Sequence, residues 1–467
     1  MKFLPIFLFL YFITPNKLKN VTLIIGSFLF YAACGLENML LLSVTILFDY
    51  WAGRGIGAID QLNRKKERQG KWAGRLLFAA AAAANLAVLF WYKRAPGELL
   101  PVGLSFYVFQ SVSYLADVYR REIRAEVSFT RYAAYISMFP QLTSGPVVYY
   151  SEVEHDLANR RCSMKLADEG LKQFVIGLAF KVLLADQAAL LWNDIQVRGF
   201  VSISTPLAWL GAYAYSMQLY FDFCGYSMMA VGLGKILGFR LPDNFNLPYA
   251  AGCIRDFYRR WHITLGRWFS KYVYIPLGGN RKGLARTLFH LLIVWLLTIA
   301  WHGSSWNFVI WGLILWFFIS LEKIVAAVRK RGKKNKDGVQ ESHSDRKKGV
   351  VRRFLAGCLS HLYVWLVIPI SWVCFAIEDL DELVIYLGRM TGLTEGVNVN
   401  HGDFAGAVQD YGILLALCVL MCTPWAKKIY EKHKDGIVGM AVLAVLFWWC
   451  VYQILLKGNN PFMYLHF

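Results

Sequence analysis

Two histidines carry the chemistry open to this chain: His262 in RRWHITLGRWFSKYVYIPLGGNRKG and His302 in WHGSSWNFVIWG. Imidazole, with an unperturbed pKa of about 6.5, can take a proton from a hydroxyl near neutral pH and hand it on. That is the task of a general base in a group transfer to an alcohol. A histidine in an apolar helix also serves as a hydrogen-bonded packing residue, so residue type alone leaves both roles open. Position separates them. His302 lies between two strongly apolar segments, and an ionisable side chain inside a membrane is costly enough to be a functional candidate by default.

The elements that must position His302 read as a hairpin. Leu284–Ala300 and Trp306–Leu321 are apolar, with Arg281, Lys282 and Arg286 before the first and the basic run 329–334 after the second. Positive charge marks the cytoplasmic side, so both outer ends belong there. From Thr287 to Ala300 a helix extends about 21 Å, short of the roughly 30 Å hydrocarbon core. The polar turn WHGSSWN is therefore expected at a membrane-buried tip, where irregular backbone needs protein or a watery cavity around it. Trp301 and Trp306 flank the base and either line that cavity or only pack. Ser304 and Ser305 are read as satisfying backbone groups at the break.

Upstream of the hairpin, Arg255, Arg259, Arg260, Arg267 and Lys271 alternate with Phe257, Tyr258, Trp261, Trp268, Phe269 and Tyr272. Basic and aromatic residues together favour the headgroup region. This stretch is either an interfacial helix alone or the frame of a cytoplasmic mouth, where Arg259, Arg260, Arg281 and Lys282 meet phosphates and Trp261 lines the opening. Pro276–Gly279 reads as a turn, since no P-loop lysine pattern accompanies its glycines. In FDFCGY, Asp222 is an intramembrane carboxylate with no obvious local cation, open to a hydrogen-bonding or a tunnel-lining role.

The remaining chain sets the class. Hydrophobic residues make up 57% of the 467 positions, in repeated runs long enough for spans, so the expected fold is all-α and polytopic. A net charge of +19 raises nucleic acid, but the basic residues cluster in short loops between spans and no RNA- or DNA-binding module is present. The nine cysteines show no metal-ligand spacing, so neither structural zinc nor a disulfide framework is expected. MKFLPIFLFLYFITP lacks a small-residue cleavage site and reads as a retained first helix. The charge alternation puts both termini outside the cytoplasm. Val21–Ala33, Leu76–Tyr92, Val102–Val118, Gly170–Trp192, Pro206–Leu237, Leu355–Phe375, Tyr411–Trp425 and Ile437–Leu456 are read as further spans. Tyr132–Tyr150, broken by Pro140, Gly145 and Pro146, is read as re-entrant, and 329–353 as a basic cytoplasmic loop with a solvated His343.

RRWHITLGRWFSKYVYIPLGGNRKG followed by WHGSSWNFVIWG resembles the signature of the membrane-bound O-acyltransferases, in the branch of bacterial alginate and related polysaccharide O-acetyltransferases. PVGLSFYVFQSVSYLADVYRR, FPQLTSGPVVYY, FDFCGYSMMAVGLGKILGFRLPDNFNLPYA and NPFMYLHF extend the resemblance over most of the chain from residue 101 onward. Met228 departs from it, since many relatives carry an acidic residue there. The resemblance implies one membrane domain over 1–467, with N-terminal helices to 100, an acyltransferase core at 101–328 and C-terminal helices from 354. About ten to twelve membrane helices, re-entrant segments included, would surround a central tunnel in the bacterial cell membrane.

It further implies acetyl transfer from cytoplasmic acetyl-CoA, with no bound cofactor. An extracytoplasmic partner of the serine-dependent, esterase-like SGNH type would pass the group to a polysaccharide. His302 matches the family's catalytic histidine and His262 a second one, placed to orient the thioester or stabilise developing charge. Tyr464 would carry the acyl group in transit, if the apolar tail is more than a plug. A carrier-protein thioester donor, as in D-alanylation of teichoic acids, is the alternative. A transporter would also have broken helices, but no inverted repeat is detectable.

Overall fold

The computed structural model describes residues 3–65, 71–94, 100–142, 145–334 and 343–457, and these form helices joined by turns, with no strand among the described residues. The physical reason is that hydrocarbon offers backbone groups no partners, so each apolar segment must satisfy its own. Among the described residues, eight helices are long and apolar enough to cross a membrane, including Met164–Arg198, Leu284–His302, Trp306–Arg329 and Leu355–Ala376. The protein is a multi-pass helical membrane protein.

Several expected spans come out differently. Phe3–Ile13 has 11 residues and Lys19–Ala32 has 14, both short of a full crossing at about 1.5 Å per residue. Thr205–Ile236 runs 32 residues, yet its Tyr, Gly and Ser content keeps it out of the eight apolar candidates. Where a re-entrant segment is expected, at 132–150, the chain forms short buried helices at Phe129–Ser137 and Phe139–Leu142, with Tyr150–Ala158 following.

The described residues fall into two compact units. The first takes residues up to 178 together with 225–243. One close helix seam within it is made by glycine. A Cβ on Gly170 would stand 2.5 Å from the Gly232 carbonyl oxygen, and one on Gly177 would stand 2.5 Å from that of Gly225. Only glycine lets the two backbones approach so closely.

The second unit takes residues 179–224 and 244 onward, and holds both histidines. Its helix Leu284–His302 begins at Gly283 (φ 90°) and turns at Gly303 into Trp306–Lys334, giving the expected hairpin. The Glu322 carboxylate on the second arm accepts from the backbone N–H groups of Ile254 (2.6 Å) and Arg255 (3.1 Å). It thereby caps the short helix Ile254–Arg260 and fixes where the RRWH stretch starts.

Candidate functional site

His262 owes its position to backbone bonds that pair residues 260–263 with 244–246. Asn246 N–H donates to the Arg260 carbonyl (3.0 Å), and Ile263 N–H donates to the Asn244 carbonyl (2.9 Å). Between these bonds His262 takes a left-handed backbone conformation, φ 45° and ψ 53°, just before the helix Ile263–Phe269. A residue with a side chain pays about 1–3 kcal/mol for such strain, which persists only where surrounding structure imposes it. The ring is 4% exposed, and its Nδ1 lies 3.0 Å from the Asn244 side-chain oxygen. Burial pulls the imidazole down to about 3, so it is neutral at physiological pH. Its Nε2 is buried with no hydrogen-bond partner among the described residues.

His302 ends the other arm of the site. Its ring meets those of Trp301 (4.4 Å between centroids), Trp311 (5.0 Å), Phe375 (5.1 Å) and Phe308 (5.9 Å). Trp301 also touches His262, at 6.2 Å. One indole therefore joins the two histidines in a single aromatic enclosure within the second unit. The tip is tied down by Ser305, whose hydroxyl donates to Glu378 (2.5 Å), and by the Asn307 amide, which donates to the Phe375 carbonyl (3.0 Å). The two serines sit in the break between the arms, and Ser305 bonds a carboxylate there instead of a backbone group.

The helix ending at His302 has 19 residues, about 28 Å, longer than the Thr287–Ala300 stretch suggested. His302 accordingly lies near the far end of a full-length arm, beside the end of the helix that closes at Ala376. At about 28 Å the arm is still slightly shorter than the roughly 30 Å hydrocarbon core, because the helix starts at Leu284 and continues through Trp301 and His302.

Other candidates scatter. Trp301 is buried and in the enclosure, whereas Trp306, which opens the second arm, is 68% exposed. Trp261 is buried against Trp372 (5.0 Å), which in turn meets Phe375 (5.7 Å), so it supports the enclosure from one ring away. Asp222 is buried in an ion pair. It is 2.7 Å from Lys181 Nζ, which also binds Asp186 at 2.7 Å. Lys181 lies on the π-helical turn Phe180–Ala185, and the sequence reading missed this cation because it is remote in the chain.

Of the candidate phosphate-binding residues, Arg259 and Arg260 both bind the Asp256 carboxylate. Burial works against that charge, but hydrogen bonds from Arg260 and Arg259 hold the carboxyl below its usual range. Arg281 and Lys282 are exposed in the turn that Gly278 (φ 117°) and Gly279 (φ 57°) make possible. His290, not singled out from sequence, pins that turn through its Nδ1, 2.9 Å from the Gly279 carbonyl oxygen. Tyr464 lies outside the described residues, as does the side chain of His343. No cluster of metal-ligating side chains occurs among the described residues.

Comparison with known proteins joins this geometry to a family. A sequence model of the membrane-bound O-acyltransferase family matches residues 38–340. The chain is 30% identical to a probable alginate O-acetylase AlgI of Pseudomonas putida, covering 100% of this chain and 98% of that protein. It is 30% identical to the peptidoglycan O-acetyltransferase of Helicobacter pylori, over 100% and 95% of the two chains. Similarity to the teichoic acid D-alanyltransferase of Bacillus subtilis is 29% and covers only 51% of this chain. With the family match running through both histidine motifs and full-length likeness to two O-acetyltransferases, the chain belongs to the membrane-bound O-acyltransferase family and is an acyltransferase.

Proposed function

We propose that this protein takes acetyl groups from acetyl-CoA at the cytoplasmic face of the cell membrane and delivers them for O-acetylation of an extracytoplasmic polysaccharide. The observation that carries the reading is the aromatic enclosure that joins His262 and His302 through Trp301, in a chain similar over its full length to two O-acetyltransferases. In the proposed reaction His302 takes the proton of an acceptor hydroxyl as its oxygen attacks the thioester carbonyl. Collapse of the tetrahedral species forms the ester and breaks the carbon–sulfur bond. The sulfur leaves with the electron pair and recovers the proton held by the imidazole, giving free CoA. Aromatic walls keep bulk water, the competing nucleophile, from the thioester.

Arg281 and Lys282, exposed in the turn before the hairpin, are the better candidates for donor phosphates, since Arg259 and Arg260 are committed to Asp256. Tyr464 is proposed as the intermediate acceptor, because a phenol ester gives up its acyl group more readily than an alkyl ester does. From it the group would pass to an extracytoplasmic partner of the SGNH type.

The test uses membranes with matched amounts of inserted protein. His302→Ala should abolish both CoA release and polymer acetylation, and Tyr464→Phe should abolish polymer acetylation. Near-normal activity in either variant removes that residue from the proposal. Saturable use of a D-alanyl carrier protein, with none of acetyl-CoA, would replace the donor.

A further inference from the structure

The contacts of Asn244 decide something the ring of His262 cannot decide alone. The Asn244 side-chain oxygen lies 3.0 Å from His262 Nδ1, 3.3 Å from the Thr264 backbone nitrogen and 2.9 Å from the Thr264 hydroxyl. A backbone N–H can only donate, so the amide atom facing it must be the oxygen, not the NH2 group. That same oxygen then needs a donor from the histidine. The Asn244 backbone is held as well, by the bond from Ile263 N–H. The amide therefore cannot turn to offer its NH2 group without setting two donors against each other.

We infer that Asn244 is a positioning residue that locks His262 in the tautomer with its proton on Nδ1. Nε2 is left as a buried lone pair with no partner among the described residues, in a ring that touches Trp301. Resting on the acyl-transfer reading, this gives His262 a definite chemical sense. It accepts a proton or hydrogen bond from a bound substrate, such as the attacking hydroxyl or an amide N–H of the donor's pantetheine arm. It does not donate to a developing oxyanion, which would need a proton on Nε2. Burial agrees with a neutral, acceptor ring. The left-handed backbone at His262 lies between the two bonds that pair this segment with residues 244 and 246.

The experiment reads the tautomer directly. Full-length protein labelled with 15N-histidine is reconstituted in nanodiscs, and the His262 signals are identified by their loss in His262→Gln. In the wild type, Nδ1 should show the protonated shift and Nε2 the bare one. Asn244→Leu, which removes the acceptor at similar volume, should mix the tautomers and lower kcat about ten- to a hundredfold with KM little changed. Asn244→Asp, which keeps an oxygen there, should restore the Nδ1-protonated signature and much of kcat. A wild-type spectrum with the proton on Nε2 overturns the inference whether or not any variant folds. So does an unchanged spectrum and kcat in Asn244→Leu, or an aspartate variant as impaired as the leucine one. Absence of acetyl transfer in the wild type would instead overturn the proposed reaction, leaving the tautomer measurement to stand alone.

Discussion

His262 and Lys181 are both ionisable, both almost fully buried and both in the second unit, yet they are satisfied in opposite ways. Lys181 is gripped by two carboxylates, Asp186 and Asp222, each at 2.7 Å. His262 is gripped at one nitrogen and left open at the other. A membrane interior punishes unpaired charge, so a lysine there needs its counter-ions simply to exist. A neutral imidazole needs only one bond to be held still, which leaves a second nitrogen for work. Burial by itself therefore says little about function; the unspent hydrogen-bonding capacity does.

The comparison breaks most visibly at the lysine. Lys181→Met strands the buried Asp222 carboxylate, with the partly exposed Asp186 beside it, and should cost about 3–5 kcal/mol, read as a collapse in folded, detergent-stable protein. Lys181→Met with Asp222→Leu should recover much of that loss, leaving one of the two carboxylates to satisfy. Normal yield from the single variant would mean that water already serves those carboxylates. His262→Gln should behave in the contrary fashion, keeping its folded yield while kcat falls about ten- to a hundredfold. If yield and activity fall together, His262 belongs with Lys181 as a structural group.

A smaller effect follows from acid. The folded His262 titrates at about 3 instead of the ordinary 6.5, so the unfolded chain binds the proton that the native ring refuses. Stability from this group is complete above about 6.5 and is lost as pH falls from there toward 3. Thermal unfolding between pH 7 and 4.5 should show that loss in the wild type and less of it in His262→Gln. An identical slope in both proteins would show that the ring is not buried neutral. The smallest effect sharpens the border of the site. Trp306→Ala, at a residue facing outward, should shift stability by no more than about 0.5 kcal/mol and leave kcat within twofold. A large fall in kcat would return Trp306 to the cavity wall.

Local signals make much of this legible in the sequence. The hairpin follows from two apolar runs with basic outer flanks, and the turn at Pro276–Gly279 follows from its glycines, whose positive φ the fold uses. Trp301 beside His302 needed only chain adjacency. What stayed hidden depends on distance in sequence. Lys181 and Asp222 are far apart in the chain with no motif between them, so Asp222 reads as unpaired until the helices pack. Asn244 reaches His262 across 18 positions through a backbone pairing that leaves no periodic trace. Trp306 misled for a simpler reason. It flanks the histidine motif in sequence, but the arm that begins there turns its indole outward.

The walls around His302 are flat, uncharged rings, and the tip that closes them is fastened by Ser305 to Glu378 and by Asn307 to the Phe375 carbonyl. Thioesters are stable in cells only as long as nothing nucleophilic finds them. On the proposed reaction, an enclosure of this kind would let the protein hold its donor while no acceptor has arrived, much as a loaded spring sits on a catch. Its idle turnover, CoA released when acceptor is absent, would then measure how often the tip comes unfastened rather than how fast the chemistry runs.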